Sequence, residues 1–391
     1  MYGNKSFRGI KMKKILSLIS VSAILVSLLA AHPSASGFPE TLDCRSAILI
    51  ETSTGSVLYE KNADAPYPPA SVTKIMTLLL VCEAVDSGRI SFSDKVPVSE
   101  NAAKMGGSQV YLKVGEDMTL EDMFKSVVIA SANDCAVALA EYVAGSEAAF
   151  VVQMNEKAGA LGMKNTTFEN ATGLDDTVKN HVCSARDIAI MSVELMKHEY
   201  IFKYTGTWMD TIRDGAFGLT NTNRLIRFYS GASGLKTGMT AKAGFCISAA
   251  AKRNGMQLIA VIMGSPTRDV RNAAASKLLD YGFANYGLYK AGASSLPPVT
   301  LTGGKNATVG ISHGAFSALL PSSQLRSVSY DVEIPDKVQA PVKKGDAVGR
   351  LEFFSDGKPI GTVDIVCDED APRITYGVMF SKLFAKFLMS K

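Results

Sequence analysis

Apolar and polar residues alternate in two short segments near the start of the chain, and this alternation predicts a β-hairpin. Residues 47–52 and 56–60 each have the pattern of a strand, and Ser53-Thr54-Gly55 lies between them as the turn. A proline-rich loop follows. From Ser71 to Val85 the chain is strongly apolar, which predicts a buried helix that ends near residue 88.

Helix signals come next. Thr119 begins a Thr-x-x-Asp segment of the capping-box type, so we expect a helix from there to about residue 130. Asp134 is expected to cap a second helix over 135–143, which Gly145 would close. Together with the apolar helix before them, these two helices predict a helical layer.

A second hairpin and a final helix complete this part of the chain. Asn254-Gly255 lies between the apolar runs 243–251 and 256–263, which is the sequence of a tight two-residue hairpin turn. A helix over 268–281 should pack back against that sheet. Hairpin, helices, hairpin and helix in this order predict an α+β domain with an antiparallel sheet, over residues 37–292.

The composition changes beyond this domain. Residues 291–298 are rich in Gly, Ser and Pro, and short β-type runs then alternate with Gly, Pro and Asp turns. The pattern predicts a small all-β domain over residues 299–372, with strands near 328–334, 349–354 and 361–366.

Residues 1–36 have the composition of a secretory signal peptide. Five basic residues and no acidic ones precede a serine-interrupted apolar stretch at 15–31, and small residues follow at 34–36. An uncleaved membrane anchor is the alternative, but the serines leave the stretch short of the roughly 20 apolar residues that a spanning helix needs. We therefore predict an exported, extracytoplasmic chain.

Residues 376–391 predict a basic amphipathic helix. One face carries the large apolar side chains, namely Phe380, Leu383, Phe384, Phe387 and Leu388. Such a helix either lies in the membrane interface or packs on the protein's own surface, and we favour attachment to the outer face of the cell membrane.

The net charge and its distribution along the chain limit the classes of partner that we expect. The chain of 391 residues has 41 Lys and Arg against 37 Asp and Glu, a net charge of +4, and no basic stripe with interleaved aromatic residues, so we expect no nucleic acid partner. Without residues 1–36 there remain 36 basic and 37 acidic side chains. The positive charge is therefore concentrated at the ends of the chain.

Cysteine and histidine spacing indicates neither disulfides nor a metal. The six cysteines are irregularly spaced, without a Cys-x-x-Cys motif, and several lie in apolar runs, so we expect buried free thiols. The four histidines are scattered, and we predict no metal and no cofactor.

A Ser-x-x-Lys motif, Ser71-Val-Thr-Lys74, opens the first predicted helix. Residues three apart on a helix share a face, so the Lys74 amine can reach the Ser71 hydroxyl. Serine is a weak nucleophile until a base removes its proton, and a neutral lysine can be that base. Burial and a second cation such as Lys236 would lower the lysine pKa from about 10.4. The motif predicts a nucleophile and its base.

Two further motifs, Ser131-Ala-Asn133 and Lys236-Thr237-Gly238, supply what an acyl transfer needs. Ser131 would relay a proton to the leaving group, and Asn133 would hold the lysine or a substrate amide. Lys236 and Thr237 would bind a substrate carboxylate, and Gly238 lets substrate backbone approach the strand. Each triplet alone is usually an ordinary turn, loop or helix start. Together, in this order, they predict a serine acyl-transfer site.

This trio resembles the signature of the serine penicillin-binding proteins and β-lactamases. More narrowly, residues 40–290 resemble the low-molecular-weight D-alanyl-D-alanine carboxypeptidases, in the segments 69–77, 114–122, 130–134, 170–174, 234–238 and 263–267. The resemblance implies a β-lactamase/penicillin-binding-protein-like transpeptidase fold. It also implies release of the terminal D-Ala from peptidoglycan stem pentapeptides through an acyl-enzyme on Ser71. β-Lactam antibiotics would acylate the same serine.

The resemblance also implies roles for residues outside the trio. Arg224 stands where a family arginine helps to bind the terminal carboxylate of the substrate. The backbone N–H groups of Ser71 and Met239 would form the oxyanion hole. His181 lies near the family's core motifs, and we expect it to be structural.

Two other functions remain open from the sequence. A β-lactamase must hydrolyse its acyl-enzyme fast, and the class A type has a glutamate and an asparagine several residues apart, whereas Glu169 and Asn170 are adjacent. A non-catalytic cell-wall binding protein would keep the fold without turnover, but it would have no use for the lysine of Ser-x-x-Lys.

Overall fold

The computed structural model describes Phe38 and residues 40–389, so the signal-peptide prediction lies outside the described residues. The first part of the chain is a mixed α and β unit. Its strands are β1 Ser46–Glu51, β2 Val57–Lys61, β3 Lys95–Pro97, β4 Asp117–Thr119, β5 Met209–Ile212, β6 Phe217–Thr220, β7 Ala232–Thr240, β8 Gly244–Arg253 and β9 Met256–Ser265. Its helices are α1 Lys74–Asp86, α2 Glu100–Ala103, α3 Leu120–Lys125, α4 Asn133–Ala144, α5 Glu147–Ala160, α6 Ala185–Met196, α7 Ile201–Thr205, α8 Leu225–Phe228 and α9 Arg268–Asn285.

The main sheet is antiparallel and has five strands in the order β2-β1-β9-β8-β7. Both predicted hairpins are confirmed. Asn254 and Gly255 have φ angles of 50° and 77°, the left-handed conformation that a two-residue hairpin turn of this kind requires. Strand β7 lies at the edge of the sheet, which leaves one row of its backbone groups unpaired by other strands.

Each face of the sheet packs against its own layer of helices. Successive residues of a strand point to opposite faces, so Ile48 and Ile50 join the core that contains α1, α4 and α6. Ala47 and Leu49 pack on the other face, where α9 covers the sheet. This three-layer arrangement confirms the predicted α+β fold, and α1 is buried within the helical layer on one face of the sheet.

The predicted helices are present, with one correction. The Thr119 hydroxyl accepts a hydrogen bond from the Asp122 N–H and caps α3, and Gly145 closes α4 with a φ of 81°. Asp134, however, does not cap α4. Its buried carboxylate accepts hydrogen bonds from the N–H groups of Val110 and Leu112, at 3.0 and 3.1 Å, because those donors lie in a loop packed beside the helix.

The rest of the chain is mostly strands. They are β10 Tyr286–Ala291, β11 Ser294–Thr302, β12 Thr308–His313, β13 Phe316–Pro321, β14 Ser329–Glu333, β15 Lys337–Gln339, β16 Ala347–Ser355 and β17 Lys358–Cys367. The three strands predicted here are confirmed as β14, β16 and β17. Strand β10 follows α9 directly and pairs with β13, and β11 runs through the proline-containing segment at 294–302. The strands enclose a core of their own.

The last helix, α10 Tyr376–Met389, confirms the predicted C-terminal helix. Its apolar side chains are exposed, including Phe380 at 71% and Leu383 at 61%. Within the described residues, no individual helix is long and apolar enough to cross a bilayer; α4 and α5 reach that length and composition only as a pair bent by 82°.

All six cysteines lie in the described part of the chain, and each is buried and unbridged there. Burial raises the pKa of Cys246 to about 11. The thiols therefore behave as small apolar side chains, as the sequence predicts.

Candidate active site

The Ser-x-x-Lys motif lies where a short 3₁₀ turn, Ala70–Thr73, leads into α1. Ser71 is partly exposed at this turn, whereas Lys74 is fully buried. The Lys74 Nζ lies 2.8 Å from the Ser71 Oγ. The structure thus places the amine beside the hydroxyl, as the spacing of the motif predicts.

Lys74 has two further partners, and both can only accept. Its Nζ is 2.6 Å from the Asn133 Oδ1 and 2.9 Å from the carbonyl oxygen of Thr172. A neutral amine has two N–H donors and one lone pair. If the two N–H groups serve Asn133 and Thr172, the lone pair is left to accept the proton of Ser71. With neutral Lys74, this arrangement can present the lone pair of the amine to the Ser71 hydroxyl.

The electrostatic environment favours the neutral form of this lysine. Burial and the nearby charge of Lys236 lower the pKa of Lys74, whereas the carboxylate of Asp134 raises it. The balance holds that pKa well below its usual value. A lysine that is neutral near physiological pH can remove a proton from serine.

Asn133 is held rigidly in its orientation. Its side-chain amide nitrogen donates to the Gly106 carbonyl at 2.7 Å, and its backbone N–H donates to the Ser108 carbonyl at 2.7 Å. This pairing turns the Asn133 carbonyl oxygen towards Lys74. Asn133 thus contacts the lysine, which is the geometry of one of the two roles that the sequence left open.

Ser131 occupies a strained backbone position. It follows a π-helical turn, Ser126–Ala130, and has φ 65° and ψ 29°, the left-handed conformation that is uncommon for residues other than glycine. The residue is 4% exposed. Strain of this kind persists where the surrounding structure holds it, and it is typical of functional sites.

Strand β7 carries the third motif along the opposite wall. An added Cβ at Gly238 would lie 2.9 Å from the backbone nitrogen of Ser71 and 2.8 Å from the Pro69 carbonyl oxygen. Only glycine therefore lets the strand approach the nucleophile this closely. Met239, the next residue, is 58% exposed.

The side chain of Lys236, a residue of β7, is buried close to a second cation. Burial and the nearby charge of Arg271 lower the pKa of Lys236 to about 7. Arg271 is also buried, and it donates to the Cys246 carbonyl and the Asn272 side chain. Lys236 and Arg271 are the cations of this interior, and their positive charge favours an anionic ligand.

The segment 169–181 forms the third side of the site. The Asn170 side-chain oxygen accepts from the N–H groups of Thr172 and Gly173 and so fixes the Thr172 carbonyl that contacts Lys74. The Asn-x-Thr-Gly sequence is an Asx-turn signature. That signature could have located this contribution, which sequence reasoning missed.

His181 supports the turn before the lysine. Its Nδ1 accepts from the Glu169 N–H at 3.0 Å, so its Nε2 carries the proton and donates to the Thr73 hydroxyl at 2.8 Å. Burial lowers its pKa to about 4, against weaker opposing charges. These contacts agree with the structural role expected for His181.

The structure places Thr222, rather than Arg224, against the third motif. The hydroxyl of Thr237 donates to the hydroxyl of Thr222 at 2.7 Å. The Thr222 N–H donates to the Ile129 carbonyl, just before Ser131. Arg224 lies two residues further on, exposed at the start of α8. No sequence motif marked Thr222, because its role depends on the meeting of two distant segments.

Ser71 lies beside a buried lysine whose lowered pKa favours its neutral form. An edge strand and a positively charged interior adjoin this pair. Together these features define an acyl-transfer site of the penicillin-recognising serine class. In the described part of the chain, no three His, Cys, Asp or Glu side chains come together as metal ligands.

Comparisons with known proteins extend this result. Residues 32–267 match the model of the D-alanyl-D-alanine carboxypeptidase family, and residues 283–373 match that of the C-terminal domain of penicillin-binding protein 5. The chain is 42% identical to the D-alanyl-D-alanine carboxypeptidase DacF of Bacillus subtilis, over 93% of this chain and 95% of that protein.

Two solved structures are also similar. Penicillin binding protein 5 from Haemophilus influenzae is 29% identical with a TM-score of 0.76, over 86% of this chain and 100% of the other. Penicillin-Binding Protein D2 from Listeria monocytogenes, in its ampicillin-bound form, is 33% identical with a TM-score of 0.57, over 62% of this chain and 98% of the other.

The chain therefore belongs to the D-alanyl-D-alanine carboxypeptidase family. This result confirms the predicted activity. The chain is a serine-type, penicillin-binding D-Ala-D-Ala carboxypeptidase. The enzyme acts on peptidoglycan and thus outside the cytoplasm.

Proposed function

We propose that Ser71 is the nucleophile that attacks the carbonyl carbon of the penultimate D-Ala of a stem pentapeptide. Its proton passes to Lys74 as the Ser71 Oγ–carbon bond forms. The amide carbon–nitrogen bond then breaks, and the departing D-Ala amine receives a proton through Ser131. Water next attacks the ester, with Lys74 again accepting the proton, and frees Ser71. The observation that carries this proposal is the buried Lys74, whose other two neighbours can only accept hydrogen bonds.

The remaining residues would bind and polarise the substrate. Lys236 and Thr237 would hold the terminal carboxylate, which the cationic interior favours. Arg224 would add positive charge from the adjacent turn. The backbone N–H groups of Ser71 and Met239 would stabilise the oxyanion.

Two residues would position other groups without taking part in the reaction themselves. Asn133 would keep Lys74 oriented. Gly238 would let the substrate backbone lie along β7, whose outer row of backbone groups is unpaired by the sheet.

β-Lactams would acylate Ser71 and remain attached. Fast hydrolysis in a class A β-lactamase needs a glutamate free to activate water, but the Glu169 carboxylate accepts hydrogen bonds from the N–H groups of Lys179 and Asn180. Its engagement there supports a long-lived adduct over β-lactamase turnover.

The enzyme would be attached to the outer face of the cell membrane. Residues 1–36 would direct export, and the exposed apolar face of α10 would insert into the interface, with basic residues beside it. The attachment would hold the site close to newly made peptidoglycan.

The decisive experiment compares native enzyme with Ser71→Ala. We expect native enzyme to release D-Ala steadily from a pentapeptide and to retain labelled penicillin on Ser71, as located by mass spectrometry. Ser71→Ala should do neither. Release of D-Ala by the variant, or rapid turnover of penicillin by native enzyme, would contradict the proposal. Penicillin binding without any D-Ala release would instead support a non-catalytic binding protein.

A further inference from the structure

A threonine outside the three motifs, Thr222, lies against the residue proposed to bind the carboxylate of the substrate. It is partly buried between β6 and α8, and its hydroxyl lies 2.7 Å from that of Thr237. Thr237 is 6% exposed. Thr222 is therefore in direct contact with a binding group of the site, from the protein side.

Two buried asparagines hold Thr222 in place. The side chain of Asn221 donates to the Thr207 carbonyl at 2.8 Å, and its oxygen accepts from the Asn223 N–H at 2.9 Å. Asn223 donates in turn to the Gly234 carbonyl of β7 at 3.1 Å. These hydrogen bonds to backbone groups fix the short segment that carries Thr222 against β7.

The backbones of both threonines are also anchored directly. The Thr222 N–H donates to the Ile129 carbonyl at 3.1 Å, in the π-helical turn that precedes Ser131. The Lys236 amine donates to the backbone carbonyl of Thr237, also at 3.1 Å. Two separate parts of the chain thus hold the two hydroxyls in contact.

Hydrogen-bond chemistry limits what Thr237 can offer a ligand. A hydroxyl has one proton to donate and two lone pairs that can accept, whereas a carboxylate can only accept. In the structure Thr237 donates its proton to Thr222. To bind a carboxylate, Thr237 must turn that proton to the ligand, and Thr222 can then donate its own proton to the Thr237 oxygen.

This reversal keeps the contact between the hydroxyls paired. Without a hydroxyl at residue 222, the oxygen of Thr237 would face an apolar group on that side, and a buried polar atom without a partner is costly. A hydroxyl that accepts a hydrogen bond is also a stronger donor, because hydrogen bonds in a chain polarise one another. Thr222 therefore holds the Thr237 oxygen in place and strengthens it as a donor.

We propose that Thr222 is a positioning residue for recognition of the terminal carboxylate. Its hydroxyl accepts from Thr237 in the free enzyme and donates to Thr237 when the carboxylate is bound. This inference rests on the proposed function, in which Lys236 and Thr237 hold that carboxylate. Thr222 touches neither the carboxylate nor the reacting atoms, so its effect should vanish when residue 237 has no hydroxyl.

The test is a double-mutant cycle on kcat/KM for release of D-Ala from a pentapeptide by the full enzyme. Thr222→Val removes the hydroxyl but keeps the branched shape, and we expect it to lower kcat/KM about five- to ten-fold, the effect of one hydrogen bond. Thr222→Ser keeps the hydroxyl and should restore kcat/KM to within about two-fold of native enzyme. In enzyme that already carries Thr237→Val, adding Thr222→Val should lower kcat/KM by less than about two-fold.

Thr220→Val is the matched control, because it makes the same exchange at an exposed position of the neighbouring strand β6. It should keep the native kcat/KM. Thermal unfolding is measured for every variant. If Thr222→Val does not fold, Thr222→Ala replaces it in the cycle.

The outcomes separate this inference from the proposed function. Native kcat/KM in Thr222→Val would overturn the inference. So would an equal loss in Thr222→Ser, or a loss that persists undiminished beside Thr237→Val. In each of these cases, D-Ala release by native enzyme would still support the proposed function. Absence of D-Ala release by native enzyme would instead contradict the proposed function itself.

Discussion

At the scale of single residues, the chemistry depends on the pKa values of two buried bases, Lys74 and His181. Lys74 is kept near neutrality by burial and by the charge of Lys236. His181 is kept neutral by burial between Thr73 and the Glu169 N–H. Both groups therefore lose protons more readily in the folded enzyme than in the unfolded chain, and both make properties of the enzyme depend on pH.

The first prediction concerns the pH dependence of acylation. Activity needs neutral Lys74, so the acylation rate should rise with pH along a limb set by the Lys74 pKa. Lys236→Gln removes a neighbouring positive charge and should raise that pKa, which moves the limb to higher pH, besides slowing the reaction. The limb is measured with labelled penicillin across a pH series. Lys252→Gln, at an exposed position of β8, is the control and should leave it in place. A limb that stays or moves to lower pH in Lys236→Gln would refute the assignment of Lys74.

The second prediction concerns stability. The pKa of His181 is about 4 in the folded enzyme and near 6.5 in the unfolded chain, so between these values the unfolded chain binds more protons. The free energy of unfolding should therefore rise as pH rises from about 4 to 6.5. His181→Gln, which can still donate and accept, should show a smaller rise in denaturant titrations over this range. Equal slopes for the two proteins would show that His181 does not contribute.

At the scale of elements, the site is a meeting of four segments. The 3₁₀ turn and the start of α1 bring Ser71 and Lys74, and the turn and start of α4 bring Ser131 and Asn133. The segment 169–181 adds the Thr172 carbonyl, and the edge strand β7 lies opposite. The closest approach is that of Gly238 to the turn that holds Ser71. The separation between β7 and this turn decides whether substrate can lie between strand and nucleophile.

The third prediction tests this separation. Gly238→Ala places a methyl group within 3 Å of backbone atoms of the nucleophile turn, so strand or turn must shift. We expect acylation of Ser71 to slow by about 100-fold, since a displacement of about 1 Å at a reacting centre can cost that factor. Gly159→Ala, in α5 with open space around it, is the matched control. It should keep full activity and gain up to about 1 kcal/mol of stability, as alanine favours helix. Normal acylation in Gly238→Ala would show that the close approach is unimportant.

At the scale of the whole molecule, charge and apolar surface are distributed unevenly. The folded body encloses its apolar residues in three cores, whereas α10 exposes an apolar face at the end of the chain. Exposed apolar surface of this extent is usually covered by a partner or a membrane. The basic residues of this segment favour an anionic membrane surface.

The fourth prediction concerns this helix. Phe384→Ser should weaken binding to vesicles containing anionic phospholipid by about ten-fold, because one large apolar side chain no longer enters the interface. Turnover of a soluble pentapeptide should not change. Tyr330→Ser is the control, since Tyr330 is 57% exposed and Phe384 58%, but Tyr330 lies in β14. Equal vesicle binding by all three proteins would exclude α10 as the anchor.

Local patterns predicted most of the fold and part of the site. The two hairpins, α1, α9 and the reach of Lys74 to Ser71 depend on residues close in sequence, where turn chemistry and helix periodicity act directly. The alternation in β1 likewise determines which of its side chains enter each core. These features follow from spacing because the interacting residues are only a few positions apart.

Tertiary packing decided the rest. Asp134 has the sequence position of a cap, yet it holds a loop 24 residues away. The Thr172 carbonyl that orients Lys74 comes from 98 residues further along the chain, and Thr222 reaches Thr237 only where two segments meet beside β7. A buried polar group takes whichever partner packing brings within reach, since leaving it unpaired is costly. The nucleophile and its base could thus be found by spacing, whereas the groups that orient them depend on the folded chain.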